Sequence, residues 1–173
     1  MMQLFFILLL SLLLNIIIGY HASYKRNVKE GENVYDIGFD ALPNLEKYHK
    51  IGDYILIIPI LFVLFSWNLW SRSKKSNYLS MLILMFSFRA LSNYVTTIPS
   101  SKECELKPPF GFCNDYIFSG HSAFNIVSSY HVGSPLWPVW PAITSLFSIA
   151  SREHYSVDVV IAWVIFAAMK SKL

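Results

Sequence analysis

Residues 116–151 read YIFSGHSAFNIVSSYHVGSPLWPVWPAITSLFSIAS, 36 consecutive positions without a formally charged side chain. A helix that crosses a bilayer needs about 20 largely apolar residues, so this run is too long for one crossing. Gly133, Ser134, Pro135, Pro138 and Pro141 fall near its middle. Proline removes a helical hydrogen bond and glycine weakens the helix, so the break belongs there. The stretch is read as two short helices, over 118–133 and 136–151, joined by a turn.

The same pattern extends in both directions. Met1 to Tyr20 and Tyr54 to Trp70 carry no charge, and Tyr78 to Ser92 carries only Arg89. Val159 to Met169 becomes a span once Tyr155 and Asp158 join it. The expected architecture is an all-α membrane protein of about six short transmembrane helices, over 2–20, 54–70, 78–97, 118–133, 136–151 and 154–170. The first run lacks a positive leading segment and exceeds the roughly 7–15 apolar residues of a signal peptide, so it is read as a retained helix. The expected division is an N-terminal helix and loop over 1–35 and a membrane domain over 36–173. Composition supports lipid as solvent: 54% of the 173 residues are hydrophobic and only 14% are charged, against about 25% in soluble domains. A net charge of +3, with no basic run interleaved with aromatics, gives no support for a nucleic-acid partner.

Basic residues in short loops favour the cytoplasm. Arg72, Lys74 and Lys75 share one face with Lys170 and Lys172, which places both termini there. Lys25, Arg26, Lys29, Lys47 and Lys50 in the first loop weigh against this. On the favoured topology the loops 21–53, 98–117 and 152–153 face the exoplasm of an endomembrane or the plasma membrane.

Chemistry-bearing residues sit at the helix starts. His154 and Asp158 are four positions apart, a spacing that puts both on one helix face and lets the carboxylate orient the imidazole. A carboxylate that enters a bilayer is costly, so Asp158 serves either that pair or a helix cap. Ser119 is a good N-cap residue and Gly120 lets a ligand come close to the backbone. Free N–H groups at a helix start form an anion site, with His121 in its first turn. Arg89 lies about 16 Å of helix beyond Tyr78, within apolar surroundings, where it meets an anionic head group or a structural partner such as Asp158. Helices four and six run the same way, so His121, His154, Asp158 and Arg89 converge at one membrane face. His131, ten residues on, is expected near the opposite face as an interfacial histidine. Asn15 and Asn125 are expected to act as interhelical hydrogen-bond partners. Phosphate-cradling glycine loops, HExxH and CxxC are absent from the sequence, so nucleotide and zinc chemistry lack a motif.

Three blocks in this order resemble the sphingomyelin synthase family of the lipid phosphate phosphatase superfamily. They are Arg89 with Tyr94-Val95-Thr96-Thr97-Ile98-Pro99, then Cys113-Asn114-Asp115-Tyr116-Ile117-Phe118-Ser119-Gly120-His121-Ser122, then His154-Tyr155-Ser156-Val157-Asp158-Val159. Asp36 to Pro43 is weakly similar to the stretch before the family's second helix. The phosphatases' Arg six residues before the last His is Ser148 here, with Arg152 two residues before His154, which favours the synthase-like branch. The chain is also shorter than typical synthases.

The resemblance implies a lipid phosphate phosphatase-like bundle and a two-step reaction without metal or cofactor. In it His154, oriented by Asp158, attacks the phosphorus of a phospholipid, and His121 protonates the departing diacylglycerol oxygen. Arg89, Asp115, Ser119 and Gly120 would bind the phosphate. The implied activity moves a phosphocholine-like head group from a phospholipid to ceramide or another lipid alcohol through a phosphohistidine. A phosphatase or phospholipase C-like hydrolase would use the same histidines with water as acceptor. A non-enzymatic lipid-binding protein would not need them.

Cys104 and Cys113 share the 98–117 loop, separated by eight residues; they are either a disulfide across a small loop or two unrelated thiols. A bridge there would contribute roughly 2–3 kcal/mol. Mass spectrometry after alkylation without reduction is expected to show one disulfide, and two alkylated thiols would exclude it.

Overall fold

A computed structural model describes residues 1–25, 34–100, 116–133 and 137–171. Among the described residues the chain forms α-helices, one 3-10 turn and no strand. The helices are α1 (Met2–Lys25), α2 (Ile37–Ala41), α3 (Lys50–Ile55), α4 (Ile57–Trp67), α5 (Arg72–Val95), α6 (Gly120–Val132), α7 (Val139–Ala150) and α8 (Ser156–Lys170). The 3-10 turn, Glu46–Tyr48, leads into α3.

Three stretches are long and apolar enough to cross a membrane: Met2–Ser23, the continuous pair α3–α4 over Lys50–Trp67, and Arg72–Val95. Their outward residues are large and apolar, including Phe6, Leu9, Phe62, Leu64 and Phe65, the pattern of a surface solvated by lipid. The chain is an all-α membrane protein. The expected six segments all appear as helices, but α6, α7 and α8 have 13, 12 and 15 residues. At 1.5 Å per residue they reach only about 18–23 Å of a core about 30 Å thick. The glycine and prolines that divide 116–151 leave each half short.

Helix ends differ from the uncharged runs for local reasons. Helix α5 starts at Arg72 because Ser71 caps it, its hydroxyl accepting from Lys74 N–H at 3.2 Å. Lys74 and Lys75 then lie over the rings of Trp70 and Trp67, so absence of charge marks the span and not the helix. Helix α6 stops at Gly133, whose φ of 70° is the left-handed conformation that closes many helices. Between α7 and α8, Arg152 takes φ 59°, an uncommon conformation for a side-chain-bearing residue. Its guanidinium donates to the Phe39 carbonyl at 2.8 Å and sits 4.3 Å over the Phe39 ring, while Ser148 O accepts from Glu153 and His154 N–H.

Helix α6 is central, packed by α4, α5, α7 and α8. Ser122, Ser128 and Ser145 are buried, and small residues permit close helix approach. Their hydroxyls stay satisfied: Ser145 donates to Ser122 at 3.3 Å, and Tyr78 pairs with Ser128 at 3.2 Å. Helix α1 docks along α5, where Asn15 donates to the Phe86 carbonyl at 2.8 Å. At the far end of α6, His131 differs from the expected interfacial histidine. It is 5% exposed, enclosed by the rings of Trp70, Tyr78 and Tyr130, with its Nδ1 on the Val127 carbonyl.

Asp36 fastens the segment before α3 to the start of α8. One carboxylate oxygen caps α2 through Gly38 and Phe39 N–H and accepts from the Ser156 hydroxyl; the other accepts from Ser156 N–H at 2.7 Å. Asp36→Ala removes a cap and strands a helix-start N–H, so stability should fall by about 2–3 kcal/mol. A lowered unfolding temperature in detergent checks this, and an unchanged one contradicts the clasp.

Candidate active site

The start of α8 sets the site. His154 does not lie on the helix as its spacing implies; Tyr155 is the N-cap and Asp158 the third helical residue. Asp158 turns back over the helix start, so Oδ2 accepts from Tyr155 N–H at 3.0 Å and lies 3.1 Å from His154 Nδ1. One carboxylate therefore caps the helix and orients the imidazole. Its other oxygen, Oδ1, is buried and carries no hydrogen bond among the described residues. An unsatisfied buried acceptor costs about 1–3 kcal/mol, more than capping alone requires.

Helix α6 brings the second imidazole. Ser119 caps it through Ser122 N–H at 3.1 Å, and Ser119 N–H donates to the Asp158 carbonyl at 3.3 Å. This contact ties the two helix starts together and places the His121 and His154 rings 6.1 Å apart, centre to centre. His154 is nearly buried and His121 is about one-third exposed.

Arg89 reaches the same place from α5. It lies six residues short of Val95, the last residue of α5, about 9 Å from that end, so it is shallower than its distance from Tyr78 implies. Asn15 on α1 accepts from its Nη1 at 2.9 Å. The Arg89 side chain crosses over Gly120: a β-carbon there would lie 3.1 Å from Nε. Glycine thus admits the guanidinium to the start of α6, where backbone N–H groups point outward. Arg89, Ser119, Gly120, His121, His154 and Asp158 all meet. Asp115, Cys104 and Cys113 lie outside the described residues.

Two contacts of these residues escaped the sequence reading. Asp53 on α3 places Oδ1 3.1 Å from His121 Nε2; its partner is 68 residues away, and nothing in the spacing points to it. Asn15 fits the expected role between helices, but its hold on Arg89 was not foreseen. The block 94–99 has a local role: Tyr155 donates to the Pro99 carbonyl at 3.2 Å, and the ring of Tyr116 stands 5.8 Å from that of His154.

Residues 112–171 match the PAP2 superfamily C-terminal family. The chain is 33% identical over 178 residues to a phosphatidylinositol:ceramide inositolphosphotransferase of Oryza sativa subsp. indica, an alignment covering 78% of this chain and 54% of that one. It is 27% identical to phosphatidylinositol:ceramide inositolphosphotransferase 3 of Arabidopsis thaliana, over 78% of this chain and 61% of the relative. It is 22% identical to phosphatidylcholine:ceramide cholinephosphotransferase 1 of Caenorhabditis elegans, over 74% and 36%. The chain spans about half the length of the curated relatives it matches.

The double duty of Asp158 is open to test. Asp158→Ala should lose about 2–4 kcal/mol, through the stranded Tyr155 N–H and the lost cap. Asp158→Asn keeps an acceptor for that N–H and should lose less than half as much. Equal losses in chemical unfolding would mean that the Tyr155 hydrogen bond does not hold the helix start.

Proposed function

We propose that the chain belongs to the sphingomyelin synthase-like family and is an integral membrane phosphotransferase that moves a phospholipid head group onto ceramide or another lipid alcohol. The observation that carries this reading is the pair of imidazoles 6.1 Å apart, one held by a buried carboxylate, beside Arg89 at a helix start. Two imidazoles able to address one phosphorus, with fixed positive charge beside them, suit transfer of a phosphodiester group.

Each residue has a role. Asp158 occupies His154 Nδ1, which leaves Nε2 as the nucleophile. Its lone pair forms a bond to phosphorus as the bond to the diacylglycerol oxygen breaks, and that oxygen takes a proton from His121. In the second half the hydroxyl of the lipid alcohol attacks phosphorus, the N–P bond breaks, and the hydroxyl proton goes to His121. Arg89 and the start of α6, with Ser119 and Gly120, balance the phosphoryl charge; Asp115, outside the described residues, is assigned to substrate binding by the resemblance alone. The machinery lies within 36–173, and α1 contributes by holding Arg89 through Asn15. The site faces the exoplasm, as the loop charges favour. The donor most in keeping with the similarity is phosphatidylinositol, for which the 33% and 27% identical relatives are named; phosphatidylcholine is the next candidate.

The test is incubation of the purified protein in vesicles with head-group-labelled phosphatidylinositol or phosphatidylcholine and either ceramide or diacylglycerol. The expected product is a labelled ceramide phosphodiester with release of diacylglycerol. Label recovered only as a water-soluble phosphate ester would make the protein a hydrolase. His154→Ala should abolish both turnover and the labelled enzyme intermediate, and His121→Ala should slow turnover about 10²–10⁴-fold. Arg89→Lys should also be poorly active, because an ammonium does not reproduce the guanidinium fork. EDTA should leave the rate unchanged. Turnover that survives His154→Ala would overturn the mechanism.

A further inference from the structure

Charge is divided between the two ends of the bundle. The described carboxylates, Asp36, Asp40, Glu46, Asp53, Glu153 and Asp158, all lie on segments gathered at the end of His121 and His154. The opposite end holds Arg72, Lys74 and Lys75 at the start of α5 and Lys170 at the end of α8. None of these four cations has an ion pair among the described residues. Three lie over rings instead: Lys74 over Trp70, Lys75 over Trp67 and Lys170 over Tyr130. At this end is a cavity of about 420 Å³ lined by Ser71, Ser73, Lys74, Asn77, Tyr130 and His131, a size usual for small-ligand sites. The Asn77 amide and the Tyr130 hydroxyl have no hydrogen bond among the described residues. His131 is the informative member. A carbonyl only accepts, so its Nδ1 carries the proton that goes to the Val127 carbonyl at 2.9 Å. Nε2 of the neutral ring is then an acceptor, on a side chain 5% exposed, with no donor among the described residues. Buried polar groups are ordinarily paired, and the side of this ring still open is the one that lines the cavity.

We propose that this cavity binds the head group of an anionic phospholipid that carries a free hydroxyl, such as a glycerol or inositol phosphodiester, at the membrane face opposite the reacting histidines. The phosphate lies at the start of α5, where the first backbone N–H groups point outward, with Lys74 and Asn77 as further donors. The head-group hydroxyl donates to His131 Nε2. A choline head group has no such donor and brings a cation toward unpaired lysines. A free phosphodiester offers the same polar contacts, but the rim selects a lipid. Trp67, Trp70 and Tyr130 are side chains of the kind that gather at a bilayer interface, and Leu69, two residues before Ser71, is 86% exposed, an apolar surface for acyl chains. His131 stands ten residues beyond His121, about 15 Å along α6, so the site is separate from the reaction centre. Its lining has one imidazole and no carboxylate; the role is binding, and it stands independently of the transferase reading.

The test uses the full chain, labelled with nitrogen-15 histidine, in phosphatidylcholine nanodiscs. Dioctanoyl phosphatidylglycerol, phosphatidylmethanol and phosphatidylcholine are added in turn, and the signal lost in His131→Phe identifies His131. Phosphatidylglycerol should move the His131 Nε2 resonance saturably. Phosphatidylmethanol has the same charge and no hydroxyl, so it should bind more weakly and leave Nε2 in place; phosphatidylcholine should do neither. Lys74→Gln, a change at the helix start, should weaken phosphatidylglycerol about fivefold. Lysines that only mark one membrane face predict equal recruitment of both anionic lipids and a silent His131, and that result overturns the proposal. An Nε2 shift with phosphatidylmethanol equal to that with phosphatidylglycerol removes the hydroxyl contact and overturns it as well. Water-soluble glycerophosphoglycerol should bind at least tenfold more weakly than the lipid. Equal affinity would make the occupant a free phosphodiester and reject the lipid assignment.

Discussion

The carboxylate of Asp158 has to cap a helix start and hold an imidazole from a fully buried position. Everything at that end of the bundle follows from meeting this requirement. Its Oδ2 completes the first turn of α8 through Tyr155 N–H, and that closure leaves His154 just outside the helix with Nδ1 toward the same oxygen. The Asp158 carbonyl takes Ser119 N–H and so draws the start of α6 alongside. With α6 come His121 and Gly120, and the bare glycine backbone admits Arg89. A chain of short contacts from one buried acid thus assembles residues from three helices.

The parts of this arrangement that could be read from the sequence are those that depend on local chemistry. Uncharged length separates lipid from water as solvent, and the glycine and prolines after His131 break the long run where α6 ends. Serine before glycine announces the α6 cap. The spacing of His154 and Asp158 foretells their contact, though by the wrong geometry: the helix begins two residues after His154, because Tyr155 takes the N-cap. The contacts of Asp53 and Asn15 in the site, and the Asp36 clasp, are invisible in the sequence, since each residue finds its partner only through tertiary approach. The burial of His131 at the far end of α6 is hidden from the sequence for a related reason. Nothing local shows that Trp70, Tyr78 and Tyr130 will close around it.

Helix length carries its own physical content. Three stretches among the described residues are long enough to cross a bilayer, whereas α6, α7 and α8 are not, and His121 and His154 stand at the starts of two of these short helices. The buried serines of α6 and α7 belong to the same economy of space, because their size lets the short helices stay close while Ser122 pairs with Ser145 and Ser128 with Tyr78.

The ring network at the far end of α6 has an optical consequence. Trp67, Trp70, Trp137 and Trp163 are linked through Tyr78, His131 and Tyr130 at centroid separations of 5.1–6.2 Å. Four of the five indoles therefore belong to one connected ring network. Trp140 stands apart: its indole N–H reaches Asn125 at 3.3 Å, and Asn125 in turn holds the His121 carbonyl at 3.0 Å. Intrinsic emission of the whole protein thus mixes this network with Trp140, and the indole hydrogen-bonded toward His121 is read alone only when the other four are replaced.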